Sequence, residues 1–192
     1  VLLTGGAGYI GSHTALELAQ WGAKVVVVDN FCNSAPESIR RVEEITQKTI
    51  PCLELDVRDQ AGLEEVMTEH KPVAVIHFAG LKAVGESVEK PQLYFEVNFG
   101  STSALCGAMQ NCGVKNLIFS SSATVYGDLN QPPLTETMST PMDRVANPYG
   151  LSKLVIEQML KWQQRANSDW SVTLLRYFNP VGAHPSGKIG ED

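Results

Sequence analysis

The sequence has few cysteines, no long apolar run and no excess of positive charge. Only 4 of its 192 residues are cysteine, too few for a disulfide-stapled secreted scaffold, which indicates a reducing compartment. Aliphatic runs such as Val25–Val28 are far shorter than the roughly 18 residues of a membrane helix. The 15 Lys and Arg are outnumbered by 21 Asp and Glu. This argues against a nucleic-acid partner, because phosphate binding requires clustered basic side chains.

Signals for targeting and for metal binding are also missing from the sequence. The segment Val1–Thr4 has neither the basic flank nor the long apolar core of a signal peptide, so we expect a cytoplasmic protein without a membrane partner. The 4 histidines show no metal-ligand spacing with one another or with the cysteines, so we expect no metal. The serines of Ser120–Ser122 lack the flanking glycines of a hydrolase nucleophile turn.

Short β-branched runs alternate with longer helical patterns along the chain. The runs typical of strands are Val1–Thr4, Lys24–Asp29, Cys52–Asp56, Val73–Phe78, Asn116–Ser120 and Val172–Arg176. The helical patterns are Ser12–Gln20, Glu37–Lys48, Ala61–Glu69, Gln92–Cys112 and Tyr149–Arg165. This alternation, with largely apolar strands, predicts an α/β fold in which a doubly wound parallel sheet is covered by helices on both faces.

A glycine-rich turn joins the first predicted strand to the first predicted helix. Gly5, Gly8 and Gly11 form a variant of the dinucleotide-binding fingerprint. In that motif the first glycine permits a tight turn, the second lets a pyrophosphate approach the backbone, and the third lets the helix pack close to the strand. The N-terminus of the helix adds free N–H groups and a favourable dipole for the phosphates.

Acidic residues end the second and third predicted strands. Asp29 lies 18 residues after Gly11, where a carboxylate accepts hydrogen bonds from the adenosine ribose and repels a 2′-phosphate, which favours NAD over NADP. A solvated strand-end acid is the plainer alternative for Asp29. Asp56 is placed to reach the adenine edge, and a helix cap or a surface acid is its alternative. Phe78, Ala79 and Gly80 end the fourth strand, where small residues let a cofactor lie across the sheet edge.

Three residues near the fifth strand are candidates for proton transfer. Tyr149 and Lys153 are 4 residues apart in a helical pattern and therefore share one face of that helix. A nearby ammonium and a positive nicotinamide favour the phenolate, so we expect the phenol pKa to be drawn down toward working pH. Ser122 is placed to hydrogen-bond the reacting oxygen. The alternative is an amphipathic helix with a buried tyrosine and a solvated lysine.

Three longer stretches resemble one branch of a known family. They are His77–Ser87, Ser120–Gly127 and Arg176–His184. Together with the glycine turn and the Tyr149–Lys153 pair, they are similar to the nucleotide-sugar 4-epimerases among the extended short-chain dehydrogenases/reductases, and the resemblance covers the whole chain. The related dehydratases usually carry Thr-Asp-Glu where this sequence has Ser122-Ala123-Thr124, so the missing acid pair argues against water elimination.

The resemblance implies a role for each matching position. Ser122, Tyr149 and Lys153 are implied to be catalytic. The implied substrate contacts are Lys82, Ser122, Thr124, Tyr149 and Asn179. The implied cofactor contacts are Gly5, Gly8, Tyr9, Ile10, Gly11, Asp29, Asn30, Phe31, Cys32, Asn33, Ser34, Asp56, Val57, Phe78, Ala79, Gly80, Leu81, Lys82, Asn98, Tyr149, Lys153 and Phe178.

The resemblance also implies an activity and a domain organisation. Residues 1–176 would form a Rossmann-like NAD-binding domain that carries the catalytic residues, and residues 177–192 the start of a small C-terminal substrate domain that is largely missing here. The implied reaction interconverts UDP-galactose and UDP-glucose through transient oxidation at the hexose C4, and the implied full-length form is a homodimer. Two alternatives remain: another enzyme on UDP-sugars, such as a UDP-uronate epimerase or decarboxylase, and a non-catalytic NAD-sensing module.

Overall fold

The computed structural model describes residues 1–128 and 131–191 and is built around one six-stranded parallel sheet. The strands are β1 (Leu2–Thr4), β2 (Val26–Asp29), β3 (Cys52–Glu54), β4 (Val75–His77), β5 (Asn116–Ser122) and β6 (Ser171–Tyr177). Their order across the sheet is β3-β2-β1-β4-β5-β6, the arrangement of the doubly wound dinucleotide-binding fold. The predicted fold class is therefore confirmed, and every predicted strand is present.

Helices follow the strands and cover both faces of the sheet. They are α1 (Tyr9–Gln20), α2 (Glu37–Thr46), α3 (Gln60–His70), α4 (Val84–Glu89), α5 (Pro91–Tyr94), α6 (Gly100–Asn111) and α7 (Pro148–Ala166). Short 3₁₀ turns lie at Ala123–Tyr126 and Met142–Arg144. Helix α1 begins at Tyr9, ahead of the predicted Ser12, because the glycine turn runs directly into the helix.

The predicted helix Gln92–Cys112 is not one continuous α-helix. It is divided into α5, a π-helical turn at Phe95–Phe99, and α6, and it follows the unpredicted α4. π-Helical turns inserted in α-helices often mark functional sites. Here the turn contains Asn98, whose side chain is 1% exposed, and so it places a polar residue inside the fold.

Two apolar clusters lie on opposite faces of the sheet. One contains Leu2, Val28 and Phe119 and packs against α3, α6 and α7. The other contains Leu3 and Val27 and packs against α1 and α2. The fully buried β1 therefore faces a core on both sides, as expected for a central strand of a parallel sheet.

The segment after β6 returns to the first helices. The Tyr9 hydroxyl donates to the Gly182 carbonyl at 2.7 Å, and Ile189 is buried in the same cluster as α1 and α2. The proposed domain boundary at residue 176 stays a prediction, and Asp192 lies outside the described residues. No helix in the described part of the chain is long and apolar enough to cross a membrane.

Candidate dinucleotide and proton-transfer site

A cavity of about 510 Å³ lies at the carboxyl ends of the strands, which is where open α/β sheets bind ligands. Most of the predicted site residues line it: Gly5, Gly8, Tyr9, Ile10, Gly11, Asp29, Asn30, Cys32, Asn33, Asp56, Val57, Phe78, Ala79, Gly80, Leu81, Lys82, Ser122, Thr124, Tyr149, Lys153, Phe178 and Asn179. The fold therefore brings residues from all six strand ends into one continuous wall.

Three predicted cofactor residues, Phe31, Ser34 and Asn98, are not among the described residues that line this cavity. Phe31 packs against the core beside α1 and α2. Ser34 donates its hydroxyl to the Asp29 carboxylate at 2.9 Å. These three residues lie outside the cavity lining, and a direct contact between them and a cofactor stays a prediction.

The glycine turn is shaped by steric limits at two of its three motif positions. Gly5 has φ +67°, and a Cβ there would lie 2.5 Å from the Ala79 backbone nitrogen. A Cβ on Gly11 would lie 2.5 Å from the Gly5 carbonyl oxygen. A Cβ on Gly8 would meet only that carbonyl oxygen, at an ordinary 3.5 Å. The absence of a side chain at Gly8 thus leaves open space in front of helix α1, whose first turn has no side-chain cap.

Asp29 ties the end of β2 to the glycine turn. Its carboxylate accepts hydrogen bonds from the backbone N–H of Ala7 at 3.0 Å and of Phe31 at 3.0 Å, and from the Ser34 hydroxyl at 2.9 Å. An ionised carboxylate has about four acceptor positions, so these contacts leave capacity for a ribose hydroxyl. The side chain is only 6% exposed, which disfavours the alternative of a solvated strand-end acid.

Asp56 is held by Arg58 at the edge of the cavity. The Arg58 guanidinium donates to both carboxylate oxygens, at 3.0 and 2.7 Å. These hydrogen bonds lower the pKa of Asp56 to about 2 against a smaller opposing effect of burial. The helix cap of α3 is Asp59, so Asp56 is not that cap.

A buried hydrogen-bond chain runs beneath the cavity from β1 to α6. His77 Nδ1 lies 2.6 Å from the Thr4 hydroxyl, and its Nε2 lies 3.0 Å from the Thr102 hydroxyl. Because the Thr102 hydroxyl donates to the Asn98 carbonyl, Nε2 must carry the proton and Nδ1 must accept from Thr4. Burial, with the nearby charge of Lys153, lowers the pKa of His77 to about 3, which keeps the imidazole neutral.

Asn98 continues this hydrogen-bond chain to α7. Its side chain accepts from the Leu81 backbone N–H at 2.7 Å and donates to the Leu81 carbonyl at 3.1 Å. It also donates to the Ser152 hydroxyl at 3.1 Å, and Ser152 in turn donates to the Tyr149 carbonyl at 2.7 Å. The amide therefore fixes the cavity segment at Leu81 relative to α7.

Ser122, Thr124 and Tyr149 meet at the end of β5. The Thr124 hydroxyl donates to Ser122 Oγ at 2.9 Å, and Ser122 and Tyr149 line the same cavity. The Thr124 backbone N–H also donates to Ser122 Oγ, at 3.2 Å, so both acceptor positions of the serine hydroxyl are occupied and it can only donate to a further partner. Burial raises the Tyr149 pKa, and the Ser122 hydrogen bond opposes that increase. The expectation of a lowered phenol pKa is therefore not met by the protein groups, because the desolvation of the phenolate dominates.

Lys153 lies one turn after Tyr149 on α7 and faces the same strand. Its Nζ donates to the Ser120 carbonyl at 2.8 Å and sits 4.8 Å from the centre of the Phe119 ring and 5.9 Å from that of Tyr149. The residue is only 5% exposed, and burial lowers the pKa of the ammonium to about 8. The alternative of a solvated lysine is wrong.

Sequence reasoning missed several residues of the cavity wall. They are Leu55, Val84, Val97, Ser101, Ser120, Ser121, Tyr177, Pro180 and Glu191. Leu55 and Tyr177 follow or end a strand, so strand-end position was a usable signal for them. Val84 lies in α4 and Val97 in the π-helical turn, neither of which the sequence pattern predicted, and Ser101 lies in the first turn of α6. In the described residues, no group of three His, Cys, Asp or Glu side chains is placed to hold a metal ion.

Comparison with known proteins decides the family. The model of the NAD dependent epimerase/dehydratase family matches residues 1–191. The chain belongs to this family. Its members with similar sequences include the UDP-glucose 4-epimerases of Mus musculus, 54% identical over 198 residues, and of Bacillus subtilis, 53% identical over 192 residues. Both comparisons cover 100% of this chain and 56% of the relative.

Solved structures of family members have the same architecture. A UDP-glucose 4-epimerase from Bifidobacterium longum in complex with NAD⁺ and UDP matches with a TM-score of 0.97 and 52% identity, over 100% of this chain and 56% of that one. A UDP-glucose 4-epimerase from Stenotrophomonas maltophila with bound NAD and formylated UDP-arabinopyranose matches with a TM-score of 0.95 and 49% identity, over 99% and 56%. The chain thus spans just over half the length of the family members it resembles.

Proposed function

We propose that the protein is a UDP-glucose 4-epimerase that interconverts UDP-galactose and UDP-glucose with a retained NAD. One observation carries the proposal. Ser122, Tyr149 and Lys153 converge in the cavity whose other end is formed by the glycine turn and Asp29. The likeness to UDP-glucose 4-epimerases at 53 to 54% identity supports the choice of substrate.

The residues of the cavity fit a bound dinucleotide. The open space at Gly8 and the uncapped first turn of α1 suit a pyrophosphate. The Asp29 carboxylate keeps an acceptor position for a ribose hydroxyl and opposes a 2′-phosphate. NAD, when bound, supplies a reversible hydride acceptor for the carbon that bears the reacting hydroxyl.

The proposed proton transfer depends on Tyr149. Its phenol oxygen takes the proton of the hexose 4-hydroxyl as that carbon is oxidised, and returns it when the opposite face of the 4-ketose is reduced. Ser122, beside it in the cavity, lowers the pKa of the phenol and so favours the phenolate form. The buried Lys153 ammonium adds positive charge nearby. This exchange requires the diphosphate to be held firmly while the hexose turns over.

The proposal is tested by replacing Tyr149 with Phe in the complete protein. We expect the interconversion of UDP-galactose and UDP-glucose to fall by about 10²- to 10⁴-fold, the usual contribution of a general acid–base group. NAD released on denaturation should stay at the wild-type level, since the ring is kept. Tyr94→Phe is the matched control, because Tyr94 packs edge-on against Tyr149 but bonds to Glu86 instead.

Two outcomes would contradict the proposal. A near-normal rate for Tyr149→Phe would remove Tyr149 from the proton transfer. Wild-type turnover of UDP-uronates in place of UDP-hexoses, seen by product analysis, would select the alternative enzyme class. The same resemblance suggests a cytoplasmic homodimer for the complete protein, and sedimentation analysis measures its oligomeric state.

A further inference from the structure

Three successive turns of α7 hold three successive residues of β5. Tyr149 lies beside Ser122 in the cavity wall, where Ser122 lowers the phenol pKa, and Lys153 donates to the Ser120 carbonyl at 2.8 Å. Glu157, one turn further on, accepts from the Ser121 hydroxyl at 2.6 Å. Since residues 4 apart share a helix face, Glu157 belongs to the same face as the proposed catalytic pair although it does not line the cavity.

Glu157 is a fully buried carboxylate with a dedicated partner on the next strand. Its side chain is 0% exposed and pairs with Arg176, whose Nε and Nη2 donate at 3.0 and 2.7 Å. Arg176 lies directly opposite Ser121 in the parallel register of β5 and β6. Burial raises the pKa of Glu157, but the hydrogen bonds from Arg176 and Ser121 outweigh this and leave the pKa below its usual value.

The Glu157–Arg176 ion pair lies next to the end of β5, where a small shift of Ser121 would also move Ser120 and Ser122. Ser121 lies between Ser120, whose carbonyl binds Lys153, and Ser122, which lines the cavity with Tyr149. The Arg176 guanidinium also stacks 4.8 Å from the Tyr126 ring, in the 3₁₀ turn that follows Ser122. Buried ion pairs contribute little net stability, and apolar replacements of both partners are often as stable. A geometric role therefore explains this pair better than a stabilising one.

We propose that Glu157, together with Arg176, is a positioning residue for the proton transfer: it fixes Ser121 against α7 so that the Ser122 hydroxyl is aimed at the Tyr149 phenol. The inference rests on the proposed function. Neither residue touches the reacting atoms, and both act through the end of β5.

The test uses Glu157→Gln in the complete NAD-loaded protein. We expect kcat for UDP-galactose to fall roughly 10- to 100-fold, the scale of a misplacement of about 1 Å, with KM and NAD content nearly unchanged. The acidic limb of the kcat–pH profile should move to higher pH, because a misplaced Ser122 hydroxyl no longer lowers the pKa of the Tyr149 phenol, which must be deprotonated to take the substrate proton. Lys161→Met is the matched control and should stay within about twofold, since Lys161 contacts the same carboxylate only at 3.6 Å from a partly exposed position.

A second variant separates positioning from stability. Glu157→Leu combined with Arg176→Met removes both charges, so we expect a folded, NAD-binding protein whose kcat remains low. Wild-type kcat in this double variant would overturn the inference. The inference would also be overturned if the fall in kcat of Glu157→Gln only matched a fall in the fraction of folded protein.

A readout without substrate keeps this inference distinct from the proposed function. Absorbance titration of Tyr149, taken as the difference between each protein and its Tyr149→Phe counterpart, should show a higher phenol pKa in Glu157→Gln than in the wild type. An unchanged phenol pKa refutes the positioning role. Wild-type inactivity toward UDP-hexoses refutes the proposed function alone.

Discussion

Because of Lys153, the free energy of unfolding of the protein should increase as the pH rises above about 8. Its ammonium is buried, and burial lowers the pKa from 10.5 to about 8. The unfolded chain therefore binds more protons than the folded chain between these two pH values. Stability rises with pH wherever the unfolded state binds more protons. The cost of burying the charge is fully present below pH 8 and is relieved as pH rises toward 10.5.

The size of the effect follows from the shift. At about 1.4 kcal/mol for each pK unit, the lowering from 10.5 to about 8 corresponds to about 3 kcal/mol. Lys153→Met removes the titrating group and keeps a side chain of similar length. The free energy of unfolding of the variant minus that of the wild type should therefore fall by about 3 kcal/mol between pH 7 and pH 10.5. The hydrogen bond lost at Ser120 adds a constant and does not change this slope.

Urea unfolding of both proteins across this pH range measures the difference. The tyrosine and cysteine groups that titrate above pH 9 are common to both proteins, so their contributions cancel. A difference that stays flat from pH 7 to pH 10.5 would refute the reasoning, because it would mean that the folded protein does not desolvate the Lys153 ammonium.

The glycine turn and Asp29 provide two further predictions. Gly11→Ala should destabilise the fold by roughly 1–3 kcal/mol in thermal unfolding, because the new Cβ would lie 2.5 Å from the Gly5 carbonyl. Gly8→Ala should keep the stability but weaken NAD binding in a fluorescence titration, and equal affinity would show that Gly8 is not at the pyrophosphate. Asp29→Asn should lower stability by about 1–3 kcal/mol, since an amide turns a donor toward one of the buried groups that the carboxylate accepts from. Its ratio of NAD to NADP affinity should also fall, and an unchanged ratio would contradict the role of the charge.

The parallel sheet, its strands and the chemistry of their ends were predictable from the sequence. Each strand is apolar because a parallel sheet is covered on both faces, and each ends in small or polar residues because the ligand edge begins there. The dinucleotide-binding turn was also predictable from its glycine spacing. Backbone atoms lie so close to Gly5 and Gly11 that a side chain at either position would clash. Local patterns of this kind depend on residues close in the chain.

The roles of the buried polar residues could not be predicted in this way. The cofactor contact implied for Asn98 stays a prediction, whereas the structure shows its amide bonded to Leu81 and Ser152, contacts that no sequence pattern indicated. The π-helical turn that directs this side chain inward has no recognisable sequence pattern. Burial within the protein also raises the Tyr149 pKa, an effect that the sequence could not indicate because desolvation depends on neighbours that are distant in the chain.

The sequence by itself therefore determined the fold class, the dinucleotide motif and the candidate trio Ser122, Tyr149 and Lys153, because these follow from periodicity and from short spacings. Only the tertiary structure decided which carboxylates are free to meet a ligand and which are already bonded. It also decided that Lys153 is buried and that Glu157 is hydrogen-bonded to Ser121 of β5 and to Arg176. Hydrogen-bond partners and solvent exposure are set by packing between elements that lie far apart in sequence, so they cannot be predicted from local sequence patterns.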